Sequence, residues 1–289
     1  MNRPMLAANY DDTMICFPVM ATPKIDGIRA LKKNGKLVSR SFKPIPNNSI
    51  RKHLESLLPD GADGEISCGD DFYTTSSAVM TIQGKLPPSL VFYWFDWVPG
   101  STNVPYSERV RLIKQHSLDH ESVVKLLPDI LYNTEELAEY KSEALLKNFE
   151  GIMLRRPDGR YKCGRSTASE GLLVKIKSYL DSEATIVGTE PLMHNKNEPT
   201  LDNFGNMKRS SRQQHMVTGN TLGSIVACTE DGVVFKIGTG YTDEARTQLW
   251  ESKDDIVGKL VKYKHMGFGR KIAPRSPVFL GIRHPCDIS

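Results

Sequence analysis

The chain has 289 residues, of which 39% are hydrophobic and 25% are charged, and its formal net charge is +4. At roughly 150 residues per domain, this length predicts two domains, and the composition excludes disordered, collagen-like and fibrous proteins. Its five cysteines are an odd number without a C-x-x-C pair, which argues against a disulfide framework and against a zinc ribbon.

The sequence carries no signal for a membrane or for secretion. No apolar run approaches the roughly 20 residues that a membrane span needs. Acidic residues stand near the start of the chain, where a signal peptide would be apolar. We therefore expect a soluble, intracellular protein with no signal peptide and no membrane partner.

Strand-like and helix-like segments alternate in the first half. The Asn34-Gly35 pair is a strong hairpin signal and predicts strands over 28–33 and 36–40. The segment 90–98 is too apolar to be half exposed, which favours a central strand. Further strands are expected over 151–155 and 172–177, and helices over 47–58, 105–116 and 133–149.

The third of these helices has a capping pattern at its start. Asn133 and Glu136 stand three residues apart, as in a capping box. The apolar side chains that we expect this helix to bury are Leu137, Tyr140, Ala144 and Leu145.

The second half changes to short β segments with a single helix. Strands are expected over 184–190, 223–229, 233–237, 260–264 and 278–283, and a helix over 242–252. Five strands and one helix in about a hundred residues fit a small barrel of the OB type. Between the first two strands lies a polar stretch over 194–221, which we expect to be a long loop.

Basic residues are concentrated in two stretches, one in each half. Nine Lys or Arg residues stand between Lys24 and Lys52 against the single acid Asp26, and seven stand between Gly258 and Arg283 against none. This distribution favours a polyanion gripped between two domains, with two merely solvated surfaces as the alternative.

The sharpest motif is the hexapeptide KIDGIR, which begins with Lys24 and ends with Arg29. In an extended chain Lys24 and Asp26 share a face, and Gly27 permits close approach of another backbone. A lysine that attacks phosphorus must be neutral, and nearby cations such as Arg29 favour the neutral amine. The motif therefore predicts a nucleophilic lysine, with a solvated lysine in a basic strand as the alternative.

Five segments stand in the order and at the spacing of the nucleotidyltransferase motifs of ATP-dependent DNA ligases. They are KIDGIR at 24–29, DGE at 63–65, FYWFD at 92–96, FEGIMLR at 149–155 and LVKIK at 173–177. The chain resembles this family from Lys24 to its end, and the small virus-type members in particular, through YKCGRST at 161–167 and its DNFG…KRS insert.

This resemblance implies a fold, cofactors and a partner. The fold is α+β, with a nucleotidyltransferase (adenylation) domain over 1–182 and an OB-fold β-barrel over 183–289 that carries a long inserted latch loop over 194–221. The cofactors are ATP and Mg²⁺ or Mn²⁺. The partner is nicked duplex DNA, around which the protein closes as a monomeric clamp. For a virus-type ligase the expected location is the nucleus or cytoplasm of an infected host.

The resemblance also assigns roles at the nucleotide. Lys24 is the nucleophile that takes AMP from ATP, with Asp26 and Arg29 beside it. Glu65 accepts the ribose hydroxyl, and the ring of Phe95 stacks on adenine.

Further residues meet the phosphates and the metal. Glu150 and Glu65 are the metal carboxylates. Lys175 and Lys177 alternate with Val174 and Ile176, so both lysines point to one face of a strand, where they can neutralise charge on a phosphate. Arg165 resembles a position near the nucleotide phosphate.

The end of the chain resembles the last motif of the family. Its basic residues orient the pyrophosphate leaving group, and here they are Arg275 and Arg283. Many ligases finish this motif with an Asp-Lys pair, whereas here Ile288 follows Asp287. The two arginines then do this work, or Asp287 acts without a lysine.

The remaining implied residues contact DNA. Arg40 resembles the arginine at the 5′-phosphate of the nick, and Lys43 follows it in the same basic stretch. In the latch, Lys208, Arg209 and Arg212 stand among Asn, Ser and Gln residues that can meet phosphates and sugars.

The function predicted in this way is sealing of 3′-OH/5′-phosphate nicks through a lysyl-AMP intermediate and a DNA-adenylate. One alternative is an mRNA capping guanylyltransferase or an RNA ligase of the same superfamily. Another is an inactive nucleic-acid-binding module, which needs both basic stretches but not Lys24.

Overall fold

The computed structural model describes residues 3–69, 71–147, 149–177, 179–201, 207–210, 212–267 and 272–283. The chain divides into two compact units, one of residues 1–177 with 201–207 and one of residues 178–200 with 208–289. Across the described residues, no helix combines the length and the apolar character needed to cross a membrane.

The first unit is built from strands with four α-helices among the described residues. Its strands are β1 (Met5–Leu6), β2 (Ala8–Asn9), β3 (Val19–Pro23), β4 (Ile28–Lys33), β5 (Lys36–Ser39), β6 (Ala62–Cys68), β7 (Leu90–Trp97), β8 (Val123–Lys125), β9 (Asp129–Leu131), β10 (Gly151–Arg155), β11 (Gly164–Arg165) and β12 (Val174–Lys177). Its helices are α1 (Asn48–Leu57), α2 (Phe72–Met80), α3 (Tyr106–Gln115) and α4 (Thr134–Leu146).

The first sheet has the order β5-β4-β6-β7-β8 and packs α1 and α2 against one face. The predicted hairpin is confirmed: β4 and β5 are antiparallel, and Asn34 and Gly35 have positive φ angles of 51° and 73°. Two successive positive φ angles make a turn whose twist matches that of the strands. The second strand ends at Ser39, one residue earlier than predicted.

Strand β7 lies inside this sheet, between β6 and β8, as its apolar sequence predicted. The expectation that it is too apolar to be half exposed is wrong, because buried and partly exposed residues alternate along it. Phe92 and Trp94 are fully buried in the core, whereas Phe95 is partly exposed. Of the partly exposed residues of β7, Phe95 lines a cavity and Trp97 packs against the edge of the core.

The second sheet has the order β2-β12-β10-β3-β9, and α4 packs against it. The capping pattern is confirmed, since Asn133 Oδ1 accepts the Glu136 N–H at 2.8 Å and Glu136 accepts from Asn133 and from the Tyr132 backbone. The helix buries Leu137 and Ala144. The prediction that it also buries Leu145 is wrong, because that side chain is 40% exposed, one position around the helix from Ala144.

The rest of the chain holds a second set of strands and two helices among the described residues. The strands are β13 (Leu180–Asn195), β14 (Pro199–Leu201), β15 (Met207–Arg209), β16 (Met216–Cys228), β17 (Val234–Ile237), β18 (Leu260–His265) and β19 (Val278–Ile282). The helices are α5 (Asp243–Glu251) and α6 (Lys253–Ile256).

Five of these strands form a sheet in the order β17-β16-β13-β18-β19, with every neighbouring pair antiparallel. A parallel bridge from Thr239, just after β17, to Val278 of β19 closes the sheet on itself. The helix α5 stands between β17 and β18 in the chain. This order, closure and helix position make an OB-fold barrel, as predicted.

The composition of the polar stretch 194–221 predicts a long loop, and this prediction is wrong for the parts that form strands. Strand β13 continues to Asn195 and β16 begins at Met216, and the two pair there as Asn195 with Met216 and Met193 with Thr218. Between them, β14 and β15 form a two-stranded sheet. Long paired strands can be polar on both faces where neither face meets a core, so composition alone suggests a loop. Residues 202–206 and 211 of this stretch lie outside the described residues.

Candidate active site

One cavity of the first unit is lined by residues of both five-stranded sheets of that unit, and its space, including the part open to solvent, is about 530 Å³. Its lining residues are Thr22, Pro23, Lys24, Ile25, Arg29, Glu65, Phe95, Leu126, Met153, Arg155 and Leu173.

Lys24 follows directly after β3, and its backbone N–H donates to the Gly151 carbonyl oxygen at 2.8 Å. Its Nζ forms an ion pair with Glu150, whose other oxygen lies 2.7 Å from Lys177 Nζ. Burial opposes ionisation of Glu150, but the hydrogen bonds from Lys177 and Lys24 outweigh it and hold the pKa of this carboxyl below its ordinary value. A charged carboxylate thus sits between two lysines.

Glu65 lies on β6 opposite Arg29 of β4. Burial raises the pKa of Glu65 to about 8, with Arg29 and Lys24 opposing the shift and Asp63 and Asp26 adding to it. The close approach expected at Gly27 is confirmed, since a Cβ atom there would overlap the carbonyl oxygen of Ile66. The glycine therefore lets the chain after Lys24 lie against β6.

Arg29 is held by residues to which the sequence gives no separate role. Its Nε and Nη2 donate to the two oxygens of Asp63 at 2.9 and 2.6 Å, and its Nη1 donates to the Met5 carbonyl oxygen at 2.5 Å. The Tyr161 hydroxyl donates to Asp63 Oδ2 at 2.7 Å. Asp63 and Tyr161 belong to the DGE and YKCGRST segments. No local pattern predicts that they pair, because they lie 98 residues apart in the chain.

Phe95 projects from β7 at a register shift against β6, where Trp94 and Asp96 pair with successive residues and Phe95 is the extra one. An extra residue in one strand redirects its side chain, here into the cavity. Two guanidinium carbons, of Arg29 and Arg155, each lie 5.6 Å from the centre of its ring.

A buried ion network supports this part of β7. Asp96 is fully buried and pairs with Arg155 and with Arg109, whose Nε lies 2.6 Å from Asp96 Oδ1. Burial opposes ionisation of Asp96, but Arg155 and Arg109 lower its pKa below the ordinary value. The sequence carried no signal for this network beyond the residues themselves.

Lys175 and Lys177 alternate with buried Val174 and Ile176 along β12, so the predicted common face is confirmed. Burial, together with Lys177, Arg165 and Lys24, lowers the pKa of Lys175. These cations are therefore close enough to repel one another. Arg165 is exposed, and its Nη1 donates to the Ala7 carbonyl oxygen at 2.7 Å.

A second cleft shares Arg29 and Glu65 with the cavity. It is lined in addition by Gly27, Ile28, Ser39, Arg40, Ser41 and Phe72. Arg40 is exposed at this cleft, and Lys43 is exposed three residues further along the chain.

The other predicted residues belong to the second unit. Lys208, Arg209 and Arg212 are exposed, and Arg209 Nη1 donates to the Asn197 carbonyl oxygen. Arg283 forms an ion pair with Glu183, and the Arg275 backbone N–H donates to the Gly267 carbonyl oxygen at 2.9 Å. Asp287 lies outside the described residues.

The donor set in the cavity fits a hard cation only in part. Among the residues that the structure describes, no group of three or more His, Cys, Asp or Glu side chains is placed to hold a metal ion. Mg²⁺ that is bound together with a nucleotide needs only one or two protein carboxylates, because phosphate and water oxygens complete its shell. Glu150, which is charged, and Glu65, which ionises at mildly alkaline pH, satisfy that smaller requirement.

Family comparisons cover both units. The family model of the ATP dependent DNA ligase domain matches residues 4–177, and the model of the DNA ligase OB-like domain matches residues 216–283. A DNA ligase of Enterobacteria phage T4 is 21% identical over 245 residues, which are 82% of this chain and 45% of that protein. One of phage T6 is 22% identical, with 92% and 60% covered. The chain thus spans about half of the length of these two relatives.

Solved structures of ligases also match the chain. The crystal structure of the chlorella virus DNA ligase-adenylate is 40% identical, covers 97% of this chain and 99% of that chain, and has a TM-score of 0.58. A Lig E DNA ligase structure has a TM-score of 0.73 at 22% identity, with 98% and 100% covered, and shows a likeness of fold alone.

Proposed function

The chain belongs to the family of ATP-dependent DNA ligases, and from this premise we propose that it seals nicks in duplex DNA between a 3′-OH and a 5′-phosphate. The observation that carries the proposal is the placing of the Lys24 amine at a cavity whose walls hold a carboxyl, an aromatic ring and two guanidinium groups. That arrangement suits a nucleoside triphosphate with its α-phosphate at the lysine.

In the first step Lys24 Nζ attacks the α-phosphorus of ATP, an N–P bond forms and pyrophosphate leaves. In the free protein the Lys24 amine is paired with Glu150, so it must leave this partner and transfer a proton to water before it attacks. Because Lys177 pairs with the other oxygen of Glu150, the carboxylate is not left unpaired when Lys24 moves away.

The nucleotide is held by groups of different chemistry. The ring of Phe95 offers a stacking face for adenine, and the Glu65 carboxyl meets the ribose hydroxyl. Lys175, Lys177 and Arg165 supply positive charge for the phosphates, and their mutual repulsion in the free protein favours binding of an anion.

Bound Mg²⁺ or Mn²⁺, held by Glu150 and Glu65, would neutralise charge that builds up on the phosphoryl group during transfer.

DNA then meets the second cleft. We expect Arg40 to bind the 5′-phosphate of the nick, with Lys43 on a neighbouring phosphate, because this cleft shares Arg29 and Glu65 with the cavity. A 5′-phosphate oxygen attacks the lysyl-AMP phosphorus and frees the Lys24 amine. The 3′-OH then attacks the activated 5′-phosphate, and AMP leaves.

The second unit completes the proposal. Lys208, Arg209 and Arg212 bind the DNA backbone in a latch that lets a monomer close around the duplex, and Arg275 and Arg283 orient the pyrophosphate.

The test separates this chemistry from that of a capping guanylyltransferase and from an inactive binding module. Incubation with α-labelled ATP should give a labelled protein band stable to heat and lost in acid, and incubation with α-labelled GTP should give none. Lys24→Ala should form no adduct but should still seal a nick that is already adenylylated. A labelled band only with GTP would indicate a capping guanylyltransferase, and an adduct in Lys24→Ala would refute the nucleophile.

A further inference from the structure

A short extended segment outside the ligase motifs runs along the proposed nucleotide site. The segment Met5–Tyr10 contains β1, which pairs in parallel with β11, and β2, which pairs in parallel with β12. It begins near the Arg165 strand and continues to the strand that carries Lys175. Its backbone therefore pairs with the strands that carry two proposed phosphate-binding cations, Arg165 and Lys175.

The first contact concerns Arg29. The Met5 carbonyl oxygen accepts from Arg29 Nη1 at 2.5 Å, and the Met5 N–H donates to the Tyr161 hydroxyl at 3.1 Å. That hydroxyl donates in turn to Asp63, whose two oxygens hold the other side of the guanidinium. Met5 and Asp63 are fully buried, so this geometry is protected from water.

The later contacts concern two more cations. The Ala7 carbonyl oxygen accepts from Arg165 Nη1 at 2.7 Å. The Tyr10 N–H donates to the Lys175 carbonyl oxygen at 3.1 Å. The segment thus contacts Arg29, Arg165 and the backbone of Lys175 within six residues.

We propose that the segment Met5–Tyr10 is a positioning element of the nucleotide site, and that Tyr161 is the positioning residue that joins it to Asp63 and Arg29. This inference rests on the proposed function. Asp63 fixes the plane of the Arg29 guanidinium, and the Met5 carbonyl oxygen fixes its direction from a second side. A displacement of about 1 Å in such a group can lower a rate by about a hundredfold.

Tyr161→Phe tests this arrangement because it removes only the hydroxyl. We expect formation of the labelled lysine adduct at saturating ATP to slow by about tenfold, within the range that misplacement of a group produces. The matched control is Tyr140→Phe, which removes a hydroxyl that donates to the Ala21 carbonyl oxygen at 3.3 Å in the same unit but outside the cavity lining. The control should keep the wild-type rate.

A double-variant cycle distinguishes positioning from general loosening of the fold. If Tyr161 acts through Arg29, Tyr161→Phe should slow adduct formation by an Arg29→Ala enzyme by less than about twofold. It should slow an Arg165→Ala enzyme by the same factor, about tenfold, as it slows the wild type. A full additional loss in the Arg29→Ala enzyme would overturn the role of Tyr161 as its positioning residue.

Deletion of residues 1–6 tests the segment itself, because it removes the Met5 carbonyl oxygen and the whole of β1, which pairs with the Arg165 strand, and keeps β2, which pairs with β12. In a folded deletion enzyme Arg29→Ala should add little further loss, whereas Lys177→Ala, on the strand that pairs with the retained β2, should add its full loss. Equal added losses, or a wild-type rate, would overturn the proposal, and if the deletion enzyme does not fold, the point-variant cycle decides. Absence of any adduct in the wild-type protein would instead refute the proposed function.

Discussion

Glu65 is a cavity residue whose charge changes near pH 8. Burial raises its pKa to about 8, from a model-peptide value of 4.5. Between these two values the unfolded chain releases the proton and the folded protein retains it, so folding becomes less favourable as the pH rises. Above about pH 8 both states are ionised and the effect is constant.

We therefore expect the free energy of unfolding of the wild type, relative to Glu65→Gln, to fall between about pH 5 and about pH 8. Urea titrations of both proteins at several pH values measure it. Parallel pH dependence of the two proteins would show that the carboxyl is ionised in the folded state throughout this range.

Asp96 is the carboxylate on which two buried arginines depend. Arg109 is fully buried and Arg155 is 5% exposed, and both pair with Asp96. Asp96→Asn removes the carboxylate with which both cations pair, and we expect a loss of about 3–5 kcal/mol in the free energy of unfolding.

The control for this prediction is Asp158→Asn, which breaks an exposed pair of 2.6 Å with Arg156. An exposed pair contributes about 1 kcal/mol or less. Similar losses for the two variants in urea unfolding would contradict the assignment of Asp96 as the centre of a buried network.

Helix α4 carries one leucine that packs in the core and another that is largely exposed. Leu137 is 5% exposed in the core of the second sheet, whereas Leu145 is 40% exposed. We expect Leu137→Ala to lower the free energy of unfolding by about 2–5 kcal/mol. Leu145→Ala should change it by about 0.5 kcal/mol or less. Equal changes, measured by chemical denaturation, would mean that the two faces of the helix are not distinguished in solution.

For the whole molecule, DNA binding is expected to depend on exposed cations of the second unit. Replacement of Lys208, Arg209 and Arg212 by Ala should weaken binding of nicked DNA and reduce the slope of log affinity against log salt by up to about 3. Lysine adenylylation should stay near the wild-type rate, because that step precedes DNA contact. A binding titration at several salt concentrations measures the slope.

The control variant replaces three exposed lysines of the first unit by Ala, namely Lys114, Lys141 and Lys147, so that it loses the same amount of positive charge. It should keep both the affinity and the slope. An unchanged slope in the latch variant, or an equal reduction in the control, would count against the latch.

The arginines near the end of the barrel are expected to serve the first step. Arg275→Ala with Arg283→Ala should slow adduct formation far more than sealing of a pre-adenylylated nick, because only the first step releases pyrophosphate. Arg283 is paired with Glu183, so Glu183→Gln reports what the ion pair does for the barrel itself. A loss in Glu183→Gln equal to that of the arginine variant, or equal loss in both steps, would assign these arginines to the structure of the barrel.

The sequence by itself determined those features that neighbouring residues control. The Asn34-Gly35 turn, the Asn133 cap and the alternation of Lys175 and Lys177 with buried residues each depend on dihedral angles or spacings within a few positions. The ordered motifs also predicted the family, which the family models confirm, and they predict Lys24 as the nucleophile.

Only the tertiary structure decided which distant groups meet. Asp63 and Tyr161 are 98 residues apart and Asp96 and Arg155 are 59 apart, and no local pattern marks either pair. Likewise, the composition of the polar ends of β13 and β16 suggests a loop, and only their pairing shows that they are strands. The physical reason is the same in each case: local preferences set turns, caps and periodicity, whereas partners far apart in the chain are brought together by the packing of sheets whose pairing is not written in any short window.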